Sequence, residues 1–300
     1  MSEDAGSRMR PWVMAGAVAA MFLWALCFPL INLGLEAAPP MTYATLRAGI
    51  SGGVLLALAA LLRRPPLRAD VRTMAAVAAV GLFATALGFV GMFNGGALVS
   101  PGIATVVANV QPLLAAVLAW VVLDEHLRAV QRLGLFAGFG GIVLIGLPGI
   151  SGGSGPLGVF YLLAGALGVA VGNVILKRIA GRVDVLRAMG WQFVVGAVPL
   201  GMLAMATEDP GAIRWSWPFL WSLLVLSLLG TAAVFVLWFY LLQRARLTQL
   251  NVFTFLTPVF GLLMGGLFFA EQVSPLAIGG ILLSLAGIYL VTRPPRALPP

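Results

Sequence analysis

Apolar runs long enough to cross a lipid bilayer follow one another along almost the whole chain. Breaking the sequence at its Pro/Gly clusters and arginine-bearing loops leaves ten of them, at residues 12–34, 41–62, 72–97, 102–123, 130–147, 157–176, 188–206, 216–242, 250–270 and 275–292. A helix needs roughly 20 apolar residues to cross a hydrocarbon core, and the bilayer forces every backbone N–H and C=O to find a partner within the spanning structure. Runs of this length specify helices; barrel strands are about half as long. The chain therefore reads as an all-α integral membrane protein with ten transmembrane helices. Only 9% of its residues are charged, against about 25% in soluble domains, so no soluble domain fits between the runs.

The net charge of +8 invites a nucleic-acid partner, but the basic residues are dispersed in short loops and form no patch. Membrane topology accounts for them. Counting loops alternately places Arg8 and Arg10, Arg63, Arg64, Arg68 and Arg72, Arg128 and Arg132, Lys177, Arg178, Arg182 and Arg187, Arg244 and Arg246, and Arg293 and Arg296 on one side. Only Arg214 lies opposite, and Arg47 lies inside the second run. Because cytoplasmic loops collect Lys and Arg, both termini are expected to be cytoplasmic. Arg8 and Arg10 before an apolar run also suggest a signal peptide, but that run reaches residue 35, well beyond an h-region of about 7–15 residues. Seventeen arginines against one lysine suit a GC-rich bacterial genome and hence a bacterial inner (plasma) membrane. The single cysteine, Cys27, excludes an internal disulfide and a cysteine metal site. No metal or cofactor is expected.

Two of the runs carry the same unusual pattern. Pro112 is followed by Glu125, and Pro258 by Glu271, at a spacing of thirteen in each case, and the two pairs are 146 positions apart. Gly134 and Gly280, Gly141 and Gly287, and Ile142 and Ile288 share that offset. The chain is thus two copies of a five-helix unit, residues 12–150 and 151–292, between tails at 1–11 and 293–300. Five is odd, so the second copy enters from the opposite side. Inverted repeats of this kind meet at a central site in carriers that work by alternating access.

The pattern of Pro, Glu thirteen positions on, and a glycine-rich final helix (GLFAGFGGIVLIG and IGGILLSLAGIYLV) resembles the EamA-type branch of the drug/metabolite transporter superfamily in both halves, from about Trp12 to Thr292. Trp24 in WALCF and Arg47 in TLRAG agree with it. Within the superfamily the chain is most similar to amino-acid exporters of the YddG type, so the resemblance implies export of aromatic and other amino acids. Drugs, nucleosides and sugar derivatives are alternatives on the same scaffold, since fold does not fix function.

Candidate pathway residues are the polar and aromatic groups inside the runs. Pro112 and Pro258 cannot donate an amide hydrogen bond and mark kinks or gates; each leaves the carbonyl four residues earlier to a neighbour, to water or to substrate. Asn109, with Thr105, and Asn251, with Thr254, extend polar stripes towards the two prolines. Asn32, Asn94, Asn173 and Gln192 add amides, each with interhelical bonding as the alternative. Arg47 is the costliest side chain to place in lipid; it can bind a substrate carboxylate, snorkel outward or pin helix ends. Trp24, Phe28, Tyr43, Trp191 and Tyr240 are candidates for an aromatic lining, with simple packing as the alternative. Glycine pairs such as Gly49/Gly53, Gly91/Gly95, Gly134/Gly138 and Gly261/Gly265 permit close helix contact.

All ten acidic residues fall in tails, loops or span ends, and the one histidine, His126, is in a loop. Proton-coupled carriers commonly use intramembrane Asp, Glu or His, so facilitated diffusion or exchange is expected. No G-x-x-x-x-G-K-[ST] loop is present for ATP. An intramembrane enzyme has little support, because the GISGG segment at 149–153 has no histidine in any span to activate its serine. A channel remains a second class, to be separated by saturable counterflow. The expected partners are a small-molecule substrate and the bilayer, with no nucleic acid, and ten spans can enclose a site as a monomer.

Overall fold

The computed structural model describes residues 9–67, 70–99, 101–147, 156–269 and 274–293. Among these residues, ten helices are long and apolar enough to cross a membrane: α1 (Pro11–Leu35), α2 (Pro40–Leu61), α3 (Val71–Gly96), α4 (Ala104–Leu123), α5 (Ala129–Gly146), α6 (Pro156–Ile179), α7 (Val185–Thr207), α8 (Trp217–Leu242), α9 (Leu247–Met264) and α10 (Pro275–Thr292). The start of α5 and the end of α10 meet where Arg128 Nη2 donates to the Arg293 carbonyl at 2.9 Å.

The ninth helix starts at Leu247, three residues earlier than the apolar run suggests. The reason is Glu125, at the end of α4. Its buried carboxylate accepts from the backbone N–H of Leu247 at 2.9 Å and of Thr248 at 3.1 Å, and from the Thr248 hydroxyl at 3.0 Å. A carboxylate at a helix N-terminus satisfies orphan donors and complements the helix dipole. At the opposite end Glu208 does the same for α2, taking Met41 N and Thr42 N, both at 2.8 Å, and Thr42 Oγ1 at 2.9 Å. Lys177 donates to the carbonyls of Leu242, at 2.6 Å, and Ala245 at the C-terminus of α8.

Glycines join the repeats. A methyl group on Gly134 would lie 2.8 Å from the Gly287 carbonyl, and one on Gly141 2.5 Å from the Gly280 carbonyl. These four glycines are two equivalent pairs in crossed combination, as an inverted repeat requires when α5 packs antiparallel on α10. Between them Ser284 Oγ donates to the Gly138 carbonyl at 3.3 Å, and these two residues are themselves 146 apart in sequence, so the pseudo-twofold axis passes through this contact. A second self-related pair is α2 with α7. Gly190 abuts Leu56 and Gly201 abuts Thr45, which are mirrored contacts at an offset of 145 and put the axis beside Ser51 and Val195. Gly91 and Gly95 pack just as closely on α6, against Tyr161, Gly165 and Gly158. A methyl group on Gly49, Gly53 or Gly261 would meet nothing within 4 Å among the described residues, so the expectation of tight contacts at Gly49/Gly53 and at Gly261 is corrected: these positions lie on open helix faces.

Candidate functional site

The helices that carry Pro112 and Pro258 are both broken, whereas Pro29 and Pro199 lie inside the continuous helices α1 and α7. α4 ends its first piece at Ala108 and resumes at Gln111. α9 is α-helical over Leu247–Asn251, narrows to a 3-10 turn over Val252–Phe255 and resumes at Leu256. Pro112 and Pro258 therefore stand in the first turn of a resumed helix, where a missing N–H removes no intrahelical bond. The Asn109 amide folds back on the Thr105 carbonyl at 2.8 Å, and Thr254 Oγ1 donates to the Asn251 carbonyl at 2.7 Å.

The two breaks are linked to each other. Gln111 Nε2 donates to Asn251 Oδ1 at 2.9 Å, Asn173 Nδ2 to the same oxygen at 3.3 Å, and Trp238 Nε1 to Asn173 Oδ1 at 3.0 Å. All four side chains are buried. Asn251 was legible as a candidate, whereas Gln111 hides beside a proline that draws attention to the backbone. Aromatic rings continue the line: Trp238 lies 5.3 Å from Trp24, Trp24 5.5 Å from Phe235, and Phe235 5.0 Å from Phe193.

Arg47 points inward, not to the membrane surface, and is 3% exposed. Its Nε donates to Thr231 Oγ1 at 2.7 Å, its Nη2 to the Gly230 carbonyl at 3.4 Å, and its guanidinium lies 4.8 Å from the Phe89 ring centre. Nη1 has no partner. The ion pairs among the described residues are Arg64 with Asp184 and His126 with Asp124, so no carboxylate there neutralises Arg47. A buried cation without a counter-ion is costly, and within a membrane it marks a functional position.

Gln192 is fully buried and accepts from Thr85 Oγ1 at 2.9 Å. Tyr43 is fully buried near the start of α2, with its hydroxyl 3.3 Å from Ser222 Oγ and from the Leu30 carbonyl. Asn94 is half-buried and bonded to the Val90 carbonyl at 3.1 Å. Two candidates do not join the group. Trp191 is 46% exposed and shares a stripe with exposed Val198, Met202 and Met205 on the outer side of α7, a face that meets lipid. Tyr240 is 42% exposed and forms a cluster with Trp12 and Arg244, whose guanidinium lies 3.4 Å from the Tyr240 ring centre. That cluster has the amphipathic character of a membrane interface. The side chains of Phe28 and Asn32, together with Glu271 and the 149–153 segment, lie outside the described residues.

A helical membrane protein made of two inverted five-helix repeats, with two broken helices bridged to each other and a buried cation that no carboxylate among the described residues neutralises, has the build of a secondary transporter. Known proteins agree. The family model described as "EamA-like transporter family" matches residues 11–147 and again 156–293; the chain belongs to this family and is a membrane transporter. It is 30% identical to an uncharacterized transporter of Synechocystis sp. over 299 residues, covering 92% of this chain and 88% of that one. It is 29% identical to the uncharacterized transporter YvbV of Bacillus subtilis, with 92% and 90% covered. A Salmonella typhimurium protein described as a "probable amino-acid metabolite efflux pump" is 25% identical, with 91% and 92% covered. A solved crystal structure shares the fold with a TM-score of 0.81 at 21% identity, covering 94% of this chain and 97% of the other.

Proposed function

We propose that this transporter exports amino acids and related small metabolites across the bacterial plasma membrane, by alternating access and without a coupling proton. The observation that carries the reading is Arg47, a buried guanidinium with no carboxylate among the described residues and with Nη1 unpartnered. An α-carboxylate arriving with the substrate supplies the missing charge, bonded to Arg47 in the manner of a charge-assisted pair. The efflux description of the Salmonella relative points the same way. The positive-inside bias orients both termini to the cytoplasm. Acidic residues at span ends, of which Glu125 and Glu208 are engaged as helix caps, leave no carboxylate relay through the middle.

The test is counterflow into proteoliposomes of the purified protein with labelled tryptophan, phenylalanine, methionine and threonine, with and without an imposed pH gradient. Saturable exchange, unchanged by the gradient, is the expected result. Absence of exchange with all four would withdraw the amino-acid assignment, and accumulation driven by the gradient would overturn the uncoupled mechanism.

A further inference from the structure

α3 and α8 occupy the same place in the two repeats, and each contains a π-helical segment, Gly81–Leu87 and Leu228–Ala233. Single π turns inside α-helices recur at functional sites. Each turn carries a buried threonine, Thr85 and Thr231, again 146 apart in sequence. Each threonine bonds across to the other repeat: Thr231 accepts from Arg47 Nε at 2.7 Å, and Thr85 donates to Gln192 Oε1 at 2.9 Å. Arg47 and Gln192 are equivalent in turn, on α2 and α7 at the offset of 145 that the helix contacts define. Each precedes the axis by three to four residues, so they stand about 5 Å to either side of it along the antiparallel helices. Their partners on α3, Phe89 for Arg47 and Thr85 for Gln192, are one helical turn apart on a single face.

Both halves have hydrogen-bonding capacity left over. Among the described residues, Arg47 Nη1 has no acceptor, and the Gln192 amide nitrogen has only the Met189 sulfur at 4.0 Å. Ser227 lies one turn before Thr231 and is tied to α2 by Ser51 Oγ donating to its carbonyl at 2.9 Å, yet its own buried hydroxyl is unpartnered. Two repeat-related donors, one charged and one neutral, thus lie buried on either side of the axis with acceptors missing among the described residues.

We infer that Arg47 with Thr231 and Gln192 with Thr85 are the two halves of one duplicated acceptor-binding site, and that the substitution of an amide for a guanidinium in the second half sets substrate charge at a single carboxylate. Two cations would favour dicarboxylates, and two amides would leave an anion uncompensated. This rests on the assignment of Arg47 to a carboxylate and goes further in giving Gln192 the neutral half and in fixing the count of charges.

The experiment measures binding to the purified full-length protein of L-phenylalanine, L-phenylalaninamide, 3-phenylpropionate and phenylsuccinate, at millimolar concentrations, for wild type, R47Q, Q192R and the exchanged pair R47Q/Q192R. Wild type is expected to bind the two monocarboxylates and to reject the amide. R47Q should lose about tenfold or more in affinity for them, the size of one lost bond to a charged group. The exchanged pair, which restores the charge on the other side of the axis, should recover to within about threefold, and Q192R alone should gain phenylsuccinate binding. A folded exchanged pair as weak as R47Q, Q192R without dicarboxylate binding, or wild type binding no carboxylate would each overturn the inference. Binding of 3-phenylpropionate without L-phenylalanine would keep the duplicated site while sinking the amino-acid assignment, so the two can fail separately.

Discussion

Replacing Glu125 with alanine removes the acceptor from three donors at the start of α9: Leu247 N, Thr248 N and Thr248 Oγ1, at 2.9, 3.1 and 3.0 Å. The hydroxyl can rotate to another acceptor, but the two backbone N–H groups cannot. A hydrogen bond to a charged acceptor is worth about 1.5 kcal/mol at the lower end of its range, so the loss is about 3 kcal/mol. At about 2–4 °C per kcal/mol for chains of 150–250 residues, the midpoint should fall by about 6–12 °C. Glu125→Gln keeps one acceptor oxygen and gives up the charge, and should cost about 1 kcal/mol. Unfolding can be followed with a thiol-reactive fluorogenic dye, because the one cysteine, Cys27, is buried. Glu208→Ala strips a matching set of three donors from the start of α2 at the other end of the bundle. It should cost a similar amount, and the double variant should show the sum, as distant sites do. An E125A midpoint within about 2 °C of wild type would refute the capping role and the arithmetic with it.

Gly287→Ala should destabilise strongly, since its methyl group would sit 2.5 Å from both the Gly134 carbonyl and the Gly138 nitrogen; Gly279→Ala, with nothing near it, should leave the melting midpoint unchanged or raise it. Asn251→Ala leaves the amides of Gln111 and Asn173 without their acceptor, and a midpoint about 4–8 °C lower is expected, with Asn251→Asp falling less. Trp238→Phe removes one donor from Asn173 and should shift the remaining tryptophan fluorescence, because Trp24 loses an indole neighbour at 5.3 Å.

The spans were legible because their length is imposed by the bilayer, and the repeat because prolines, glutamates and glycines recur at one offset. Arg47 stood out for the same reason: a guanidinium in an apolar run is conspicuous. The orientation of aromatics was not legible. In a soluble helix the exposed face is polar and the period of the sequence reveals it; here lipid and core are both apolar, and Trp191 and Phe193, two positions apart, carry no mark saying that one faces out and the other in. Gln111 was missed beside its proline, although an amide next to a helix break is well placed to bridge it. The π turns of α3 and α8 leave no composition signal, but Thr85 and Thr231 do share the offset of the two prolines, a polar match inside two apolar runs.

The glycine seam between α5 and α10 has a practical value for watching this transporter move. Backbone presses on backbone at Gly134 with Gly287 and at Gly141 with Gly280, and Ser284 between them is tied to the Gly138 carbonyl, which leaves little side-chain rotation to absorb a displacement. Spin labels or dyes on the outer faces of α5 and α10, at Phe136 and Leu282 for example, both well exposed, would report a fixed separation throughout the cycle. Such a pair is an internal ruler, against which distances to the broken helices α4 and α9 can be calibrated in one sample and changes of state told apart from changes of label.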